Sequence, residues 1–185
     1  MKAPSSQKIN VKKRVRELVL IALLTAVLSA GKMALSFIPN VEIVTVCIIA
    51  FTFVFGIKIG MPSTLIFCAI EGAIYGLAPW LLSYFIYWPL LSVVTALLTK
   101  AIHKNKVAIP VLIAFFMTSF FGVLTTFVDT CFYSGGQSFW NFYAAMYVRG
   151  IYFYLVHIIS NIIVVGVLFT PLTKLLEKNK EHYFA

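Results

Sequence analysis

The chain has 185 residues, of which 61% are hydrophobic and 11% charged, and its formal net charge is +9. A soluble domain of this size would carry about 25% charged residues, so the composition excludes a water-soluble enzyme or nucleic-acid-binding domain. Apolar runs recurring from residue 18 to 173 instead predict an all-α, polytopic membrane protein with no nucleic-acid partner.

Residues 1–17 are polar and basic, with Lys2, Lys8, Lys12, Lys13, Arg14 and Arg16. Such a cluster reads as a topology signal in contact with lipid headgroups. The apolar segment after it runs too long for a cleaved signal and lacks a small-residue cleavage site, so it is expected to be the first transmembrane helix, roughly 16–36. Ala22, Ala26 and Ala30 recur every four residues there and share one face. In lipid, small residues on one face let another helix approach closely. A proline-containing turn then brings Lys32, Asn40 and Glu42 near a membrane edge.

The remaining spans are expected at roughly 41–57, 61–78, 80–100, 107–132 and 149–173, in one membrane domain covering 1–185. A loop over 133–148, with a short helical piece at 139–147, separates the last two. Six spans put both termini on one side. Thirteen of the fifteen Lys and Arg residues then fall on that side and only Lys32 and Arg149 on the other, so both termini are expected in the cytoplasm of a cell-membrane protein.

Lys32, Arg149, Glu42, Glu71 and Asp129 all map to the outer ends or outer halves of spans. Charged groups at membrane depth cost at least ~2.5 kcal/mol each, so they are paired, hydrated or functional. Two readings stand side by side: mutual neutralisation that staples helices, or a polar pocket closed by the turn at 39–42 and the loop at 133–148. Two stripes favour the pocket. Trp80, Tyr84, Tyr87 and Trp88 share a helical face; Trp88 lies ~12 Å deeper than Trp80, below an interfacial belt. Arg149, Tyr154, His157 and Asn161 fall on one side of the last span, where His157 serves equally as an interhelical hydrogen bond or a ligand contact. Flat aromatics with a few polar groups suit a ring-containing small molecule. Gly72 and Gly76 form a GxxxG pattern that predicts close packing of the third span on a neighbour, with Glu71 as a buried strut or part of the pocket floor.

Metal and nucleotide chemistry find no foothold in the sequence. Cys47, Cys68 and Cys131 sit singly in apolar segments and read as small core residues, not as metal ligands or disulfides. No metalloprotease, nucleophile-elbow or Walker motif occurs, so no catalytic or metal residue is assigned. No internal repeat of the secondary-transporter kind is evident either.

Taken together, the six short spans, the basic N-terminus, the Ala22-x-x-x-Ala26 pattern and the pieces at 37–42, 71–76, 157–161 and 168–171 resemble the substrate-binding S components of energy-coupling factor (ECF) transporters. The resemblance covers essentially the whole chain. It implies a subunit that is not itself an enzyme and carries no cofactor, and a transmembrane coupling protein docked on Ala22, Ala26 and Ala30. Two cytosolic ATPases would consume the ATP. It further implies a high-affinity outer site for a water-soluble vitamin or related micronutrient, with cobalamin or another corrinoid favoured. The candidate substrate-binding residues are Asn40, Glu42, Glu71, Trp80, Tyr84, Tyr87, Trp88, Asp129, Arg149, His157 and Asn161. The alternative is an accessory or structural membrane protein without a small-molecule ligand.

Overall fold

A computed structural model describes residues 5–184, with side chains for 11–180 and for Tyr183. Lys2 and the side chain of Lys8, part of the expected topology signal, lie outside the described residues. Every regular element among those described is a helix: α1 (Ser5–Ala34), α2 (Val44–Phe55), α3 (Ile57–Tyr75), α4 (Pro79–Leu97), α5 (Thr99–Lys104), α6 (Ala108–Tyr133) and α7 (Phe139–Phe184). Five of them, α1, α3, α4, α6 and α7, are long and apolar enough to cross a membrane.

The second expected span is the exception. Its helix, α2, has 12 residues, about 18 Å at 1.5 Å per residue, against a hydrocarbon core of about 30 Å. What it lacks in length it has in burial: every residue from Val44 to Val54 is buried, in contact with α1, α3, α4, α6 and α7. A helix hydrophobic all round belongs at the centre of a bundle, and α2 is the shaft around which the others pack.

Side-chain contacts define two ends of the bundle. At one, Lys32 of α1 meets Glu71 of α3, and Ser160 of α7 donates to the Asn40 carbonyl. At the other, Lys180 donates to the Val54 carbonyl at 2.6 Å, Lys106 reaches Glu177, and Tyr183 donates to the Arg16 carbonyl at 2.7 Å. α2 therefore runs from the first end to the second, and α1 and α7 meet at the lysine-rich end. Gly56 makes the reversal into α3 with a φ of 83°, in the region that only glycine enters freely. Gly60 follows, its Cα so close to α2 that a Cβ would stand 3.0 Å from the Thr52 backbone.

α1 is divided lengthwise. Leu20, Ile21, Leu24 and Leu28 are buried, and the Thr25 hydroxyl donates to the Ser63 carbonyl. Ala22, Ala26 and Ala30 lie on the opposite side, exposed along with Leu23 and Val27, so the alanine face packs against nothing in the described chain.

The loop expected over 133–148 is shorter than that, while the helical piece expected at 139–147 is indeed helical. The connection before the last helix is only residues 134–138, and 139–147 are continuous with α7, which runs 46 residues to Phe184. Gly135 and Gly136, both with positive φ, confine the turn to themselves, and nothing from Phe139 onward breaks the helix. Pro171 is accommodated inside it, as prolines are where neighbouring helices re-satisfy the backbone. The GxxxG pair also divides. Gly72 packs on Leu81 of α4, where a Cβ would stand 2.8 Å from the leucine, whereas Gly76 terminates α3 with a φ of 87° and has open space beside it. Cys47 and Cys68 are buried as expected, but Cys131 is exposed.

Candidate functional site

The turn between α1 and α2 forms one wall of a cavity of about 460 Å³. Backbone hydrogen bonds from Leu35, Ser36, Ile38 and Val41 to carbonyls three residues back wind the chain tightly through the turn. Asn40 takes a φ of 59°, a conformation asparagine tolerates better than most residues. Ser160 of α7 holds its carbonyl. The remaining walls are Tyr75 of α3, Trp80, Tyr84 and Trp88 of α4, Phe121 of α6 and His157 of α7.

Glu42 sits where the turn enters α2. Its carboxylate accepts the Thr45 N–H at 2.8 Å and the Thr45 hydroxyl, so it serves one of the free donors at the start of α2 and lies at the positive end of the helix dipole. His157 Nε2 lies 3.6 Å from it. Burial pushes the Glu42 carboxyl up, but the interactions with His157 and Thr45 outweigh it and hold the group below the ordinary glutamate value. Glu42 is ionised at neutral pH.

Lys32 closes the other side. Its ammonium donates to Glu71, whose side chain has no exposed surface, and lies 4.7 Å from the Tyr84 ring centroid, 5.3 Å from Tyr75 and 5.7 Å from Trp80. One carboxylate and three rings thus surround a single cation. Rings of the α4 stripe stack edge to face: Trp80 on Tyr84 at 5.0 Å and Tyr84 on Trp88 at 5.7 Å. Phe121 connects that stripe to α7, 6.2 Å from Tyr84 and 5.4 Å from His157. The buried Trp88 indole N–H has no hydrogen-bond partner among the described residues.

No family model, curated protein or solved structure matches this chain. Its site is therefore read from its own geometry.

Of the candidate residues, Asn40, Glu42, Trp80, Tyr84, Trp88 and His157 line the cavity. Glu71 stands immediately behind Lys32. Tyr87 is fully buried and packs on Trp88 and Phe121 at 4.6 and 4.7 Å, supporting the wall from outside the cavity. Asn161 is buried one turn beyond His157 and donates to the Thr118 hydroxyl at 3.1 Å, joining α7 to α6.

Asp129 and Arg149 are not brought to the cavity. Asp129 is half-buried on α6, and Arg149 is exposed on α7. Tyr154, on the same stripe as Arg149, bonds the Thr126 hydroxyl at 2.7 Å and staples α6 to α7. Because 139–147 are helical and continuous with α7, the 133–148 segment contributes nothing to the lining, and the turn at 35–42 closes the cavity without it. Lys32, Leu35, Ser36, Tyr75 and Phe121 are lining residues the stripes did not select. Helical spacing carries the signal for most of them: Leu35 and Ser36 follow Lys32 by three and four, and Tyr75 follows Glu71 by four. Phe121 is one of 17 phenylalanines and carries no distinguishing pattern.

Proposed function

We propose that this chain is the membrane-embedded substrate-binding subunit, the S component, of an ECF-type importer for a water-soluble vitamin or related micronutrient. The observation that carries the reading is the cavity: about 460 Å³, walled by residues of six helices and a tight turn, rich in aromatic rings and holding a few fixed polar groups. Small-molecule sites of ~300–1,000 Å³ have this character. The exposed alanine face of α1 supports the same reading, since it leaves a smooth helix surface for a transmembrane coupling protein. Two cytosolic ATPases would supply the energy, and this chain would have no turnover of its own.

On this reading α2, though short, completes a sixth crossing. The lysine-rich end with both termini then faces the cytoplasm of the cell membrane, and the cavity opens outside. The volume favours a compact ring compound. A corrinoid exceeds it and would engage the cavity through one edge, with the bulk of the ring over the mouth.

The alternative is an accessory protein whose outer charges only join helices, and the Lys32–Glu71 pair supports it, because it joins α1 to α3 and the two charges offset each other within the chain. Mass spectrometry of small molecules released from gently purified protein separates the two. A vitamin or related micronutrient at one per chain is the expected result. Protein that releases none and binds none of a vitamin panel, corrinoids included, would be the accessory protein.

A further inference from the structure

Resting on that reading, we propose that the cavity selects a compact ring compound bearing positive charge, with Glu42 as its counterion. The argument is the balance of fixed charge around the cavity. Lys32 contributes nothing net, because its ammonium is matched by Glu71. An anionic ligand would have to share the Lys32 ammonium with Glu71 without displacing it, because the Glu71 side chain has no exposed surface and no other cation in salt-bridge range among the described residues. Stranding a buried carboxylate is among the costliest changes a protein interior can suffer.

Glu42 differs from Glu71 on each point. Its side chain retains 15% of its surface, it lines the cavity, and its closest partners are the neutral donors of Thr45. His157 stands 3.6 Å away, too far for a good hydrogen bond. Among the described residues no lysine or arginine lies in salt-bridge range of Glu42, whose one ionisable partner there is His157, so no permanent cation matches this carboxylate. Around it the walls are π faces, which attract cations and repel anions. Lys32 demonstrates the preference within the same wall, its ammonium held among Tyr84, Tyr75 and Trp80. A cationic ring that stacked against Trp88 and Phe121 would meet Glu42 from the open side of the cavity.

The test is a charge-sorted binding panel on the full chain in nanodiscs, read by tryptophan fluorescence and calorimetry. Thiamine and 1-methylnicotinamide are the cationic probes, pyridoxine and riboflavin the neutral ones, biotin and pantothenate the anionic ones. The expected result is that the tightest binder is cationic, by about tenfold or more over any neutral or anionic probe. Glu42→Gln should weaken that binder by about tenfold or more, and Glu42→Asp should restore most of it. A neutral or anionic probe that binds tightest overturns the proposal, and so does a cation whose affinity Glu42→Gln leaves unchanged. The wild-type panel decides even where Glu42→Gln fails to fold. A neutral or anionic vitamin released from the purified protein would overturn the charge assignment and leave the importer reading standing. Protein that releases nothing and binds no probe would overturn both.

Discussion

At the cavity end, Lys32 is enclosed by Glu71 and three aromatic rings, and Glu42 by Thr45 and His157, while at the opposite end Lys106 meets Glu177 across a surface where both side chains keep more than a third of their area. The first arrangement removes charges from solvent and must satisfy them inside the chain. The second leaves them hydrated and uses tight backbone packing, at Gly60 against Thr52, to hold the helices together. Charge thus joins helices at both ends, but only at the first do charged groups line the cavity. A net charge of +9 says little about what the protein binds, because most of it lies away from the cavity.

The comparison breaks most visibly at Lys32. Lys32→Met leaves Glu71 buried without a cation, which should cost about 3–5 kcal/mol. Adding Glu71→Gln should recover much of that loss, since a neutral pair strands no charge. Thermal unfolding of the three variants in detergent measures it. Equal stability of Lys32→Met and wild type would mean that Glu71 reaches water, and the contrast between the ends would go with it.

At the lysine-rich end the largest loss should come from an uncharged residue. Gly60→Val places a branched side chain where even a Cβ is tight against the Thr52 backbone, and overpacking of this kind costs about 1–3 kcal/mol. Protease resistance and unfolding temperature should both fall, with the cavity residues untouched. If Gly60→Val unfolds like the wild type, α2 and α3 separate more easily at this end than their spacing implies.

How much of this was legible in the sequence follows the same division. The helical class and the long apolar helices follow from composition and run length, because lipid forces backbone groups to be satisfied within each helix. The α4 stripe was legible because Trp80, Tyr84 and Trp88 repeat at helical spacing and the helix is not broken within them. Arg149 and Asp129 were misleading for a physical reason: charge at membrane depth demands a partner or water but does not say which, and Arg149 turned out to be exposed. That the second span is short was legible from its run length, but its central, fully buried place was not, because an apolar run looks alike whether it crosses a membrane or fills the middle of a bundle. The pairing of Lys32 with Glu71, 39 residues away, depends on how α1 packs against α3. No local pattern encodes it.

The smallest predicted effect is at Glu177. Its carboxylate lies 3.3 Å from Lys106, with the two side chains 41% and 35% exposed. Exposed pairs contribute about 0–1 kcal/mol, and salt screens them over a Debye length of about 8 Å at physiological ionic strength. Glu177→Gln should therefore shift the unfolding temperature slightly at low salt and not at all in molar salt. The same salt titration should leave the penalty of Lys32→Met nearly unchanged, because Glu71 is out of reach of the ions that screen Glu177. Should both variants respond to salt alike, the two ends share one electrostatic environment, and the distinction drawn from their burial fails.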